Sequence, residues 1–521
     1  MQRFLTIPSL QSARRDVPAG IVVFLVALPL CLGIALASGA PLFAGIIGGV
    51  VGGLVVSLLS GSELSVSGPA AGLTVIVAAA IIKLGGFPAF TVAVMLSGVL
   101  QIVFGALRAG VIGDYIPNSV IKGMLAAIGI VIILKQIPHA LGDDRDFLGD
   151  EAFQQADRNN TFTEMLSSLV SPSPGAVLIT VVAIGLLILW ERPALKKQVW
   201  TTWLPGPLVC VVVGTLLNEA FGRWLPAWQL TAARQHVVQL PVASSLQEFF
   251  GMFTLPQFSR LLHVDTWVVA ATIALVGSIE TLLCIEATDK LDPEKRLSDS
   301  NRELRAQGVG NLLSGFLGGL PITSVIVRSS ANIYAGARTR LSCFVHGLVM
   351  LLAVGLLASL LNRIPLAALA SVLLVVGYKL SSRKIILEMW AKGGTQFIPF
   401  IVTVVAIVFT DLLKGIGIGL LASVFFVIRS NHHAAITLVS QDSNWLLRFN
   451  KDMSFVNKVE LKRRLRQVPD QSLLIVDGTK ALYVDGDIYE TMKEFETAAS
   501  FRGIRLEYHN FFNKQHATTT R

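Results

Sequence analysis

Charge is what this sequence has least of. Asp, Glu, Lys and Arg make up 15% of its 521 residues, where a soluble protein carries about a quarter. With a mean hydropathy of +0.64, that shortage excludes an ordinary soluble globule. Cysteine is scarce as well: Cys31, Cys210, Cys284 and Cys343 are the only four, each in or beside an apolar segment at unrelated spacing. They suggest neither a disulfide framework nor a metal site, and read as small apolar thiols. No nucleophile–base pair, phosphate loop or metal cluster stands out, so neither an enzyme nor a bound cofactor is expected. The net charge of +9 does not call for a nucleic-acid partner, because in so apolar a chain it reads as basic cytoplasmic loops.

What fills the chain instead is long apolar runs, such as 17-VPAGIVVFLVALPLCLGIALASG-39 and 398-IPFIVTVVAIVF-409. Runs of about 20 apolar residues match the thickness of a bilayer. The sequence therefore predicts an all-α polytopic membrane protein with about fourteen membrane segments, residues 1–430, and the lipid bilayer as its surroundings. The first run is too long for a signal peptide and reads as a retained span. Basic residues (Arg14, Arg15, Arg108, Lys196, Lys197, Arg383, Lys384) fall on one side of the expected spans, while the acidic stretch 141-LGDDRDFLGDEAFQQADRNN-160 falls on the other. The positive-inside rule then places both termini in the cytoplasm of an inner (plasma) membrane protein.

Two expected segments, 69–83 and 323–336, are too short to cross a bilayer as helices. Each is third in its half of the chain, each opens near a proline (65-SVSGPAAG-72 and 321-PITSVIVRSS-330), and halves of seven spans must run in opposite directions. This pattern predicts two inverted repeats, about 14–218 and 262–430, with half-helices meeting at mid-membrane. Beyond Arg429 the composition changes, and apolar strands alternate with helical patterns (445-WLLRFN-450, 455–468, 472-SLLIVDG-478, 487–503, 504-IRLEYHN-510). Residues 431–521 thus predict a small α/β domain with a peripheral tail from residue 511.

A helix N-terminus carries unpaired N–H groups and the positive end of the macrodipole, so two such ends facing each other make an anion site. Gly68 and the small residues Ala70 to Gly72 allow close backbone approach, Pro69 suits a first helical turn, and Thr323 and Ser324 can cap or donate. Arg328, one turn further on, either adds positive potential in a cavity or snorkels to the interface beside Arg338 and Arg340. Glu280, also inside a membrane run, is the carboxylate available to pair with Arg328 or to carry a coupling cation. Lys135 and Gln136 read as anchors at the membrane interface, and Asp411 with Lys414 as a local pair. The row Gly45, Gly48, Gly49, Gly52, Gly53 predicts close helix packing.

These motifs resemble the sulfate permease (SulP) family of anion transporters, bacterial relatives of solute carrier family 26. The resemblance rests on 16–41, 60–72, 116-IPNSVIKGM-124, 279-IETLLCIE-286, 411–419 and above all 303-ELRAQGVGNLLSGFLGGLPITSVIVRSSANIYAGARTRLS-342. It implies core and gate domains of seven plus seven spans, often dimeric, which move substrate by an elevator-like step, and a cytoplasmic STAS domain. It places the anion at Gly68, Pro69, Ala70 and Ala71, at Val325, Ile326, Val327 and Arg328, and at Leu30 and Ile34, with Glu280 on the family's acidic position. The substrate implied is a small inorganic oxyanion, bicarbonate or sulfate, coupled to protons or sodium. The first span is closest to members found with carbonic anhydrase, which hints at bicarbonate and at a separate carbonic anhydrase as partner. Three places depart from the pattern. Ala70, Cys284 and Ile326 replace hydroxyls of the sodium site, Val327 replaces a serine, and Gly486 and Asp487 occupy the loop that often carries a phosphorylatable serine.

Overall fold

A computed structural model describes residues 10–145, 153, 160–196, 198, 201, 204–242, 245–433, 435–441 and 444–511. Most of the acidic stretch 141–160, Lys197 and nearly all of the expected tail lie outside the described residues. The chain divides into two compact units, Met1–Ala391 with Phe400–Leu420, and Lys392–Pro399 with Leu421–Arg521.

The first unit is helical. Among the described residues six helices are long and apolar enough to cross a membrane, and four shorter apolar helices accompany them. In chain order it begins with α1 (Leu10–Ala37), α2 (Leu42–Leu59), the short α3 (Ala71–Leu84), α4 (Phe87–Ala106) and α5 (Asn118–Leu141). There follow α6 (Thr161–Val170) and α7 (Pro174–Trp190), bent by 107° at their junction, and α8 (Gly206–Trp224). The second half contains α9 (Val264–Leu291), α10 (Ser300–Leu317), the short α11 (Ile326–Tyr334), α12 (Leu341–Leu356) and α13 (Leu366–Leu380). Then come α14 (Gly394–Phe409) and α15 (Leu412–His433), each with residues in both units. Helix α6, a further helix at Arg383–Ala391 and the turns within 225–260 were not foreseen.

Before α3 and before α11 the chain is briefly extended, as β1 (Ser67–Pro69) and β2 (Ile322–Ser324). These strands pair antiparallel, Ser67 opposite Ser324 and Pro69 opposite Ile322. The two halves of the chain therefore touch where the two short helices begin.

The glycine row on α2 makes this junction compact. A Cβ on Gly48 would stand 2.8 Å from Pro69, one on Gly52 would strike the Ser67 carbonyl, and one on Gly53 the Cα of Gly347 on α12. Here α2 loosens into a π-turn over Gly52–Val56, a local widening frequent at functional sites. Similar contacts join α4 to α10, where a Cβ on Gly98 would come within 2.5 Å of the Gly308 carbonyl, and α5 to α13, where one on Gly129 would stand 2.6 Å from the Gly377 carbonyl. Small residues at helix crossings let backbones approach closely, which suits helices that lipid cannot drive together.

In the second unit four strands form one sheet in the order β3-β4-β5-β6. β3 (Ile436–Gln441) runs antiparallel to β4 (Asn444–Phe449), and β4, β5 (Leu473–Asp477) and β6 (Arg505–His509) are mutually parallel. Helices α16 (Lys458–Leu465) and α17 (Gly486–Phe501) make the crossovers that parallel strands require. The strand β3 was missed by sequence reasoning because only two residues separate it from α15, with no glycine or proline to mark a boundary. Leu447, Phe449, Leu474, Val476, Leu461 and Met492 are buried between sheet and helices.

Asp477 faces Arg448 across the β4–β5 register. The Thr479 hydroxyl and backbone N–H, with Arg448 Nε at 2.9 Å, hold its carboxyl down at about 2. A depressed carboxyl contributes stability above the ordinary value of 3.8, and that contribution is lost as the pH falls through about 2. Asp477→Asn is therefore expected to lose less melting temperature than the wild type between about pH 4 and pH 2. Calorimetric scans of the unit's transition at those pH values check it.

Candidate functional site

The junction of the two short helices is where most of the expected residues gather. Gly68 and Pro69 lie in β1, Ala70 and Ala71 lead into α3, and Val325 to Arg328 lead from β2 into α11. The strand pair is extended by a bond from the Val325 N–H to the Val66 carbonyl (2.9 Å) and one from the Val66 N–H to Ser329 Oγ (2.9 Å). Helix α1 runs beside both short helices. Its Leu30 packs in one apolar cluster with Ile326 and Val327, against Ile121 and Met124 of α5 and Val372 of α13. Its Ile34 packs with Leu73 and Ala71 in another. Most of these groups are buried; Ala71 and Val325 are half-buried and Gly72 is exposed.

Arg328 is 0% exposed, so it does not snorkel to the interface. Its Nη2 donates to the Pro69 carbonyl at 3.2 Å, and Nη1 lies where a side chain on Gly68 would begin. Its Nε and Nη1 find no hydrogen-bond partner among the described residues. The guanidinium thus ties α11 to the start of α3 and leaves a formal positive charge under the strand pair. Gly68 is required for that reason: any Cβ there displaces the guanidinium.

The pairing of Arg328 with Glu280 does not form. The Glu280 carboxylate on α9 lies instead against the other short helix, with Oε1 and Oε2 3.0 and 3.2 Å from the place of a Cβ on Gly72. The two side chains approach the strand pair from different helices, and Arg328 folds back beneath β1 rather than towards α9. At the positions where the resemblance would put sodium ligands, Ala70, Cys284 and Ile326 are buried and supply no side-chain oxygen. Hydroxyls are nevertheless close by. Ser65 and Ser324 are hydrogen-bonded through their Oγ atoms, and Thr281 Oγ1 accepts from the Ser324 N–H at 3.3 Å.

Sequence reasoning missed His346 on α12. It is 0% exposed, neither ring nitrogen has a partner among the described residues, and with Cys31 it faces the charge of Arg328. A lone histidine in 341-LSCFVHGLVMLLAVGL-356 was the signal available. Lys135 and Gln136 also differ from expectation. They are 8% and 4% exposed rather than anchored at a surface. The pair Asp411–Lys414 forms as expected, at 2.8 Å.

A cavity of about 440 Å³ opens beyond the far end of α11, lined by Arg15, Arg338, Lys379, Glu191, Tyr334 and Ala331 among others. None of the expected anion-site residues lines it, but Ala331 is three residues on from Arg328. Lys379 Nζ bonds Glu191 at 2.6 Å and stands 5.4 Å from the Tyr334 ring centre.

Residues 14–406 match the family model for the sulfate permease family. The chain belongs to that family. A putative sulfate transporter, YvdB of Bacillus subtilis (strain 168), is 30% identical over 447 residues, covering 86% of this chain and 79% of its own length. The bicarbonate transporter BicA of Picosynechococcus is 30% identical over 422 residues, covering 78% of this chain and 69% of its own. Among solved structures, that of SLC26A9 superposes with a TM-score of 0.68 at 16% identity, over 97% of this chain and 85% of its own. That last likeness concerns the fold alone. As a sulfate permease family member the chain is a multi-pass transmembrane anion transporter and not an enzyme.

Proposed function

We propose that this protein is a secondary active transporter of small inorganic oxyanions, bicarbonate or sulfate, across the inner membrane. The observation that carries the reading is the antiparallel β1–β2 junction, from which two helix N-termini rise beside a fully buried Arg328. Helix ends and one guanidinium suit a compact oxyanion, since they supply N–H donors and positive potential without a large polar pocket.

In this reading the helical unit consists of fourteen spans as two inverted repeats of seven, and it works by an elevator-like exchange of access between a core and a gate. The pairing of helices supports the repeat: α4 meets α10 and α2 meets α12, the same two positions exchanged between the halves. Gly68, Pro69, Ala70 and Ala71, with Val325, Ile326, Val327 and Arg328, hold the anion, while Leu30 and Ile34 form an apolar wall. Glu280, beside the start of α3, takes the coupling cation, a proton or sodium. Residues 431–521 form a cytoplasmic STAS-like domain, both termini are cytoplasmic, and the transporter is a homodimer.

Reconstituted protein should accumulate labelled bicarbonate or sulfate at a rate well above that of labelled dicarboxylates, each assayed with and without sodium. Faster uptake of dicarboxylates would move the substrate class. Anion binding with no uptake of any of them would make the protein a sensor instead.

A further inference from the structure

The stretch 303-ELRAQGVGNLLS-314 opens the most specific segment of the sequence, 303–342, and lies on α10, with its polar residues outside the anion site. Glu303, Gln307, Asn311 and Ser314 are spaced four, four and three residues apart, which puts them on one helix face. Their exposures are 0, 0, 1 and 0%. Each directs its side chain off the helix onto the segments that begin the two short helices.

Glu303 accepts from the Ser60 hydroxyl and from the Gly61 N–H at 2.9 Å. Gln307 Nε2 donates to Ser67 Oγ at 2.7 Å and back to Glu303 Oε1 at 2.9 Å. Asn311 acts as a further strand edge: its Oδ1 accepts from the Ile322 N–H at 2.6 Å and its Nδ2 donates to the Ile322 carbonyl at 2.9 Å. The same Nδ2 reaches Gln101 Oε1 of α4 at 2.7 Å. Ser314 donates to the Leu320 carbonyl at 2.7 Å, just before β2.

Ser67 and Ile322 are the first residues of β1 and β2 and lie at opposite ends of the antiparallel pair. One rigid helix face therefore fixes both ends of the junction. The field of a helix dipole fades within its first turn, so the pull of the two N-termini on an anion depends on their mutual register.

We propose that Gln307 and Asn311 are positioning residues which hold the two short helices in the register that binds the anion. The inference rests on the oxyanion reading above and adds two residues that do not touch substrate. Loss of either amide strands its buried partners in place of a hydrogen bond, and the helix ends shift relative to each other.

The test measures initial rates of labelled sulfate and bicarbonate uptake by the full chain in proteoliposomes. Gln307→Leu and Asn311→Leu should each raise KM at least about fivefold with Vmax within about twofold. Thr215→Ala, whose hydroxyl bonds the Val211 carbonyl within α8 at 2.8 Å, should leave both unchanged. Ser67→Ala should raise KM in the same direction, and the double variant no further than Gln307→Leu, which already removes the Ser67 bond together with the one to Glu303. Should Gln307→Leu fail to fold, the small truncation Ser67→Ala carries the test. Unchanged KM in Ser67→Ala, or a loss of Vmax at constant KM, overturns the proposal. If the wild type carries neither anion, the oxyanion reading fails, and hydrogen exchange then decides the positioning role. Protection of the 67, 68 and 322–324 amides should drop in Gln307→Leu or Ser67→Ala but not in Thr215→Ala, and equal protection overturns it.

Discussion

Arg328→Gln is expected to raise the KM for anion uptake about thirtyfold or more while the protein stays folded. Each helix N-terminus at the junction offers roughly half a positive charge, so the guanidinium supplies about half of the total. Being fully buried, it is poorly screened by salt. Truncating one member of a buried charged interaction costs about 2–5 kcal/mol, and the lower figure is already near thirtyfold in affinity. Glutamine ends two bonds short of the Nη2 position and gives up the Pro69 bond along with the charge, while the Val325–Val66 and Val66–Ser329 bonds still join the start of α11 to the approach to β1. Removing a buried charge that has no ion pair among the described residues also relieves its desolvation cost. The melting temperature of Arg328→Gln should therefore hold or rise while transport falls. Lysine is not a conservative replacement, because Nη2 bonds Pro69 while Nη1 rests against Gly68, a reach a single ammonium lacks. Uptake kinetics and thermal melts on the same preparations check both halves of the expectation.

The second large effect is expected at Glu280. Its carboxylate lies against Gly72 in the first turn of α3, where negative charge draws on the same helix end as the substrate. A proton or sodium ion arriving at Glu280 relieves that competition, so cation and anion favour each other's binding, and by linkage the effect is reciprocal. Uptake should then rise when the cation concentration rises on the substrate side. Glu280→Gln imitates the neutralised state and should uncouple the two. Labelled anion should equilibrate across the membrane instead of accumulating, and the pH or sodium dependence of KM should flatten. The steady-state ratio of inside to outside label, with and without each cation gradient, measures this. Accumulation unchanged in Glu280→Gln would place the coupling elsewhere.

What the sequence made legible were features that depend on length and residue size. Segments too short to span, each opening near a proline, marked α3 and α11, and the glycine row on α2 marked the surface against which β1 and α12 pack. Arg328 and the small residues Gly68 to Ala71 could be singled out because charge is rare in such a chain and small side chains allow close approach. Side-chain direction was not legible. Glu280 and Arg328 were both recognisable as intramembrane charges, but one turns to Gly72 and the other beneath β1. Lys135 offered a basic residue near a helix end, the usual mark of an interfacial anchor, yet the fold buries it. The face Glu303, Gln307, Asn311, Ser314 has a visible helical period. Its partners Ser60 and Ser67 lie 243 and 240 residues away, and no local rule connects such distant positions.

The most direct measurement is the current evoked on a solid-supported membrane when a sulfate or bicarbonate gradient is applied to proteoliposomes. The wild type should give transients that grow with the gradient and saturate, and Arg328→Gln, present in equal amount, should need a far higher anion concentration to give them. Wild-type protein that binds the anion without current, or an Arg328→Gln response indistinguishable from wild type, would contradict an anion transport site at the junction of the two short helices.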